Sequence, residues 1–272
     1  MSAIAWNLVL LAGAASAGAG AAAAAGAGET LGGASGPDLR RVASSSLILL
    51  LLALAIGILS LGHPSMALTI LSNPGSGLFW ELFAFGASIL LSAAYVAALS
   101  KGAAESTCRT AGTLSGSFAL LLMLFIGLTS YMPWSPVWGT WTLAVPFVLF
   151  AVQGAVFVRI GTVDAGPRTR KFASIAPAVT LASIAIYLSV LAGSSDETAA
   201  AALSEGISGS FAAGFWGLVV IAGIAVPALL PFLRNISPKI AGLAGLLLSA
   251  LGCGAFQWFL GALGTVEAVP VY

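Results

Sequence analysis

The residues best able to move a proton lie within one short stretch, "SLGHPSMALTILSNPGSGLFWE", from Ser60 to Glu81. It holds His63, the single histidine of the chain, together with Pro64, Pro74 and an acid at the start of an apolar run. Imidazole exchanges a proton near neutral pH. A carboxylate can accept one from a bound hydroxyl. An ionisable group at membrane depth costs about 2.5–3.5 kcal/mol on insertion scales, so its retention there points to a function. Two plainer roles stand beside these. Glu81 could reach water and favour its own helix N-terminus, and His63 could be a polar helix end.

Other chemistries are excluded by what the chain lacks. One histidine cannot supply the axial pair of a bis-histidine haem. Cys108 and Cys253 have no metal-ligand spacing and cannot hold an iron–sulfur cluster. "GAGAAAAAGAG" is glycine-rich but follows no strand, and no phosphate-binding glycine motif is followed by lysine. We expect no metal or haem in this chain and no nucleic-acid partner. Any redox role must borrow its cofactors from another subunit.

The elements that position His63 and Glu81 follow from composition. Charged residues make up 7% of the 272 residues and apolar residues 59%, against about 25% charged in ordinary soluble domains. Mean hydropathy is +1.06. The sequence predicts an all-α integral membrane protein forming a single domain over 1–272, with the lipid bilayer as its solvent. Crossing a bilayer takes about 20 apolar residues. Eight such runs occur, at roughly 4–26, 44–62, 78–100, 111–130, 139–160, 172–194, 209–232 and 240–263. The first is low-complexity Ala/Gly, but with no Lys or Arg before Arg40 it lacks the basic start of a signal peptide. It is read as a helix whose small residues suit close packing.

Charge then sets the topology. Arg40 and Arg41, Lys101 and Arg109, Arg159 with Arg168, Arg170 and Lys171, and Arg234 with Lys239 all fall in alternate connections. These are the 10 basic residues of the chain. Basic loops stay cytoplasmic, so both termini are expected outside: eight transmembrane helices, N-out and C-out. The Ser60–Glu81 connection then faces outward, as do Asp196, Glu197, Glu205 and Glu267. All 7 tryptophans map to the same outer half: Trp6, Trp80, Trp134, Trp138, Trp141, Trp216 and Trp258. An interfacial belt populates both surfaces. One-sided enrichment suggests a docking face or a pocket for an aromatic ligand. Trp80, Tyr131, Trp134 and Trp138, with His63 and Glu81, are the candidate binding residues.

"LGHPSMALTILSNPGSGLFWE" resembles the helix-two to helix-three loop of the membrane-anchor subunits of dimethyl sulfoxide reductase-type molybdopterin oxidoreductases. The residues that carry it are Leu61, Gly62, Pro64, Asn73, Ser76 and Glu81. "PVWGTWTLAVPF" is similar to the start of that family's helix five, through Pro136, Trp138, Trp141 and Thr142. Trp6, Gly252 and Phe256 also fit, and the family's layout is eight spans with the N-terminus outside. Departures exist: Ser60 stands where the family often has histidine, and Ser249, Cys253 and Gln257 where its last helix often carries Glu, Arg and Tyr.

The resemblance implies an anchor in a prokaryotic cytoplasmic membrane that oxidises menaquinol near the outer face. Its partners would be an iron–sulfur electron-transfer subunit and a molybdopterin catalytic subunit, both outside. In that reading His63 hydrogen-bonds a quinol oxygen and Glu81 takes the proton. Two rival readings are a small transporter or proton channel with Glu81 as coupling acid, and a purely structural anchor.

Overall fold

The computed structural model describes residues 6–32, 36–60, 69–70, 72–162, 167–233 and 235–267. Eight helices are long and apolar enough to cross a membrane, and no strand occurs among the described residues. The crossings are α1 (Trp6–Leu31), α2 (Gly36–Ser60), α3 (Gly77–Ser100) and α4 (Glu105–Thr129). A 3₁₀ turn at Trp141–Ala144 leads into α5 (Val145–Thr162), followed by α6 (Pro167–Ala192). The seventh crossing is composite, and α10 (Pro238–Glu267) is the eighth. With an even number of crossings, both described ends of the chain come to one end of the bundle. The tryptophans are at that end, and the described basic residues are at the other.

The Ala/Gly run is the centre of the bundle. Within its most apolar stretch 67% of residues are buried, against 22% in α2, and α1 touches α2, α4, α5 and α10. Small side chains make this possible, because four neighbours can approach the α1 backbone closely. A methyl group at Gly26 would sit 2.5 Å from the Gly112 carbonyl oxygen of α4, and one at Gly20 would sit 2.9 Å from the Ala151 carbonyl oxygen of α5. Ser46 of α2 adds a tie, donating to the Gly18 carbonyl at 2.9 Å. Aromatic residues from α5, α6 and α10 fill the wider spaces, with Phe147 and Tyr187 both packed edge-on against Phe256.

α2 and α4 start earlier than expected, at Gly36 and Glu105, so Arg40, Arg41 and Arg109 lie in helical turns rather than in connections, and three further features differ from the sequence expectation. First, α1 continues to Leu31 rather than ending near 26, which brings Glu29 inside a crossing helix. Glu81 is therefore not alone among acids within a span. Second, the expected outer loop after span six contains an extra helix, α7 (Glu197–Ile207). Asp196 caps it, accepting from the Thr198 N–H at 2.8 Å, and its Ala199, Ala202 and Gly206 face is buried. Eleven residues rise only about 16 Å, too short to cross. Third, the seventh crossing runs α8 (Ala212–Gly214), a π-helix at Phe215–Ala225, α9 (Val226–Leu229) and a final 3₁₀ turn. Gln153, wholly buried on α5, donates to the Gly223 carbonyl of that π-helix at 2.8 Å and to Ser249 Oγ at 2.9 Å.

Candidate functional site

The start of α3 is built by its own turn. Pro74 and Gly75 bend the chain, the Ser76 N–H closes on the Asn73 carbonyl at 3.1 Å, and Ser76 Oγ accepts from the Phe79 N–H at 3.1 Å. Ser76 therefore caps the helix, and Glu81 lies more than a turn inside it. This removes the capping explanation for the acid. Glu81 is half-buried and lies beside the Thr129 side chain at the end of α4. Thr129 Oγ1 also lies 2.8 Å from the Ile126 carbonyl. One hydroxyl proton cannot serve both acceptors. When Glu81 is ionised the hydroxyl can turn to it; when Glu81 is protonated the acid can donate to Thr129, whose own proton goes to Ile126. The pair thus accommodates either state of the carboxyl without leaving a donor unpaired.

Glu81 looks into a cavity of about 800 Å³ at the tryptophan-bearing end. Its walls come from α1, α2, α3, α4, α10 and the 130–138 connection, and they are mostly aliphatic or aromatic. Phe85 forms part of the wall one turn below Glu81, and Ser60 and Ile70 border the cavity on either side of the Leu61–Thr69 connection. Gln257 of α10 is the polar group contributed from that helix. Its Oε1 is buried and has no hydrogen-bond partner among the described residues. An unpaired buried acceptor is costly in an apolar setting and is ready for a donor.

Tyr131 and Trp138 also line this cavity, held by a connection that satisfies its own backbone. The Met132 N–H donates to the Trp138 carbonyl and the Trp138 N–H to Ser135 Oγ, each at 3.1 Å. The Trp138 indole donates to the Leu260 carbonyl at 3.1 Å, and the Tyr187 hydroxyl to the Val137 carbonyl at 3.1 Å. Two other candidates lie elsewhere. Trp80 precedes Glu81, so its side chain is rotated about 100° away around the helix. It stacks on Phe125 at a ring separation of 6.0 Å and is exposed along that side. Trp134 is 80% exposed and points out of the protein. His63 lies outside the described residues.

Three residues of the site had weak signals in the sequence. Thr129 and Phe85 belong to ordinary apolar runs. Gln257 stood out more, because the chain has two glutamines, Gln153 and Gln257, and both sit within apolar spans. The tryptophan-bearing end also carries acids at Asp196, which caps α7, and at Glu205 within it. The Thr198 side chain, then its backbone N–H, hold the Asp196 carboxyl below the ordinary carboxylate range. The Ser210 backbone N–H and hydroxyl do the same for Glu205. Both acids keep their charge at neutral pH.

Fold and site together define a polytopic helical membrane protein with an apolar, acid-bearing cavity at one end. Compared with models of protein families and with curated proteins, the chain matches none.

Proposed function

We propose that this chain is the quinol-oxidising anchor of a molybdopterin oxidoreductase complex in a prokaryotic cytoplasmic membrane, its tryptophan-bearing end outward. The observation that carries the reading is the cavity. At about 800 Å³ it falls in the size range of ligand sites. Its apolar walls suit a quinone ring, and its polar groups, Glu81 and Gln257, suit two hydroxyls. Gln257 Oε1 accepts a hydrogen bond from one hydroxyl. Glu81 accepts the proton of the other as the electrons leave.

Oxidation of a quinol to the quinone releases two electrons and two protons. The electrons pass to the nearest cluster of an iron–sulfur subunit docked on the acidic, aromatic end, and the molybdopterin subunit consumes them. The protons leave one after the other through Glu81. Thr129 steadies the carboxyl in both states, which allows it to reset between them. The Leu61–Glu81 sequence resemblance and the one-sided basic residues support the same arrangement. A menaquinol ring would stack between Tyr131 and Trp138.

The test is Glu81→Gln, which keeps size and a hydrogen bond but cannot take the proton. General-base catalysis contributes about 10²–10⁴-fold, so quinol-dependent turnover should fall by that order. Turnover driven by reduced viologen, which feeds the soluble subunits directly, should be unchanged. Iron and molybdenum should co-purify with the variant as with the wild type. Equal loss of both activities would make Glu81 structural, and loss of neither would place the site elsewhere.

A further inference from the structure

Glu81 is the first member of a polar stripe. Ser88, Ser92 and Tyr95 follow it on α3 at spacings that keep all four on one side of the helix. The two serines and the tyrosine are buried. Ser92 shares a 2.8 Å hydrogen bond with Ser115 of α4, and the Tyr95 hydroxyl donates to Glu29 Oε1 at 2.8 Å. Glu29 is half-buried, near the end of α1 where the basic residues gather. The stripe therefore runs from the cavity at one end of the bundle to an acid at the other. Glu81 to Tyr95 rises about 21 Å along the helix axis, most of a hydrocarbon core of about 30 Å.

Helix packing does not account for this stripe. Ser92 and Ser115 could merely tie α3 to α4, but Ser88 ties nothing. Its Oγ is wholly buried and has no hydrogen-bond partner among the described residues. Alanine would pack as closely without burying an unpaired hydroxyl. Glu29 and Tyr95 likewise place an acid and a phenol inside a membrane helix pair where apolar residues would insert more readily.

We propose that the stripe is a proton path joining the Glu81 cavity to the Glu29 end. A proton leaving Glu81 passes through Ser88, the Ser92–Ser115 pair and Tyr95 to the Glu29 carboxylate, and from there to water. Each hydroxyl gives up one proton and takes one from the preceding group, so none is left charged and no other bond changes. The steps from Ser88 to Ser92 and from Ser92 to Tyr95 rise about 6 and 4.5 Å, the reach of one bridging water. The first step, Glu81 to Ser88, rises about 10.5 Å and needs a short water chain, and Phe85 interrupts it. Phe85 lies on the same face between Glu81 and Ser88, nearly fully buried, with its ring against the cavity. An aromatic plug there slows entry from the cavity and keeps the resting path close to shut. The proposal rests on the membrane fold and does not require the quinol reading, so either can fail alone.

The experiment uses the purified full chain in phospholipid vesicles. A potassium gradient with valinomycin imposes a membrane potential, and a trapped pH dye reports proton entry without quinol. The wild type should conduct slowly but measurably above empty vesicles. Phe85→Ala should raise the rate several-fold. Glu29→Gln should return either background to the empty-vesicle rate, and the Ser92→Ala, Ser115→Ala double variant should do the same. Gel filtration checks that each variant is folded. Should Phe85→Ala fail to fold, the comparison of wild type with Glu29→Gln still decides. A wild-type rate equal to that of empty vesicles overturns the path. So does a Glu29→Gln rate equal to the wild type, in which case the stripe only holds helices together.

Discussion

Replacing Gly26 with alanine should destabilise the bundle, although alanine is the better helix former. The added methyl would lie 2.5 Å from the Gly112 carbonyl oxygen and 3.0 Å from its carbon, backbone atoms that cannot rotate away. Restoring ordinary contact at 3.4 Å means moving α1 and α4 apart by about 0.9 Å, the difference between 3.4 and 2.5 Å. A gap of 0.5–1 Å forfeits roughly a quarter to a half of each dispersion contact along the seam, and overpacking typically costs about 1–3 kcal/mol. Against this stands a gain of up to about 1 kcal/mol from removing a helical glycine. The net expectation is a loss of up to about 2 kcal/mol. Gly86 of α3 is the control, because a methyl there meets nothing within 4 Å. Gly86→Ala should be neutral or stabilising by up to about 1 kcal/mol. Unfolding titrations in mixed detergent micelles, followed by tryptophan fluorescence, measure both. The same sign for the two variants would refute the placement of α1 as the central helix.

Two further outcomes follow from the two ends of the bundle. Both natural cysteines are buried and free, so an impermeant thiol reagent reads introduced ones: Ser194→Cys should label in intact cells and Lys101→Cys only after lysis, and the reverse would invert the orientation. Trp134 and Trp138 should separate docking from binding. Trp134→Ala, at the exposed site, should release soluble subunits from membranes while leaving quinone-analogue affinity unchanged. Trp138→Ala, which removes the indole bonded to Leu260, should weaken analogue binding by about tenfold, a loss near 1.4 kcal/mol. Identical behaviour of the two would contradict their different environments.

Much of the fold was legible because lipid imposes simple rules. Apolar runs of sufficient length marked the eight crossings, and the basic residues sorted their ends. The glycines and alanines of α1 suggested close packing, but not that this helix would be the centre, since that depends on which neighbours fit around it. The composite seventh crossing was hidden because a π-helix has no hydropathy signature distinct from an α-helix. α7 was hidden by brevity: its buried face is three small residues, too slight a pattern among alanines.

The site was legible in the same partial way. Glu81 stood out because it is a lone carboxyl at the start of an apolar run. Its partners, Thr129 and Gln257, arrive from helices distant in sequence, and nothing local marks them as facing it. Trp80 and Trp138 were indistinguishable by type and both near the outer end. Only the helical rotation that separates Trp80 from Glu81, and the hydrogen bond that turns Trp138 inward, decide which one meets the cavity. Glu29 was missed because the helix that carries it runs five residues beyond the expected end.

If the cavity beside Glu81 holds a quinone head group, photolabelling should find it there. An azido-naphthoquinone is irradiated with membranes containing the complex, with and without excess menaquinone, and the labelled peptides are mapped by mass spectrometry. Label that menaquinone displaces is expected on α3 near Glu81, on the Tyr131–Trp138 connection, or on α10 near Gln257, and less of it in Glu81→Gln. Displaceable label confined to α6 or to the π-helical crossing, with none at these three places, would contradict that placement.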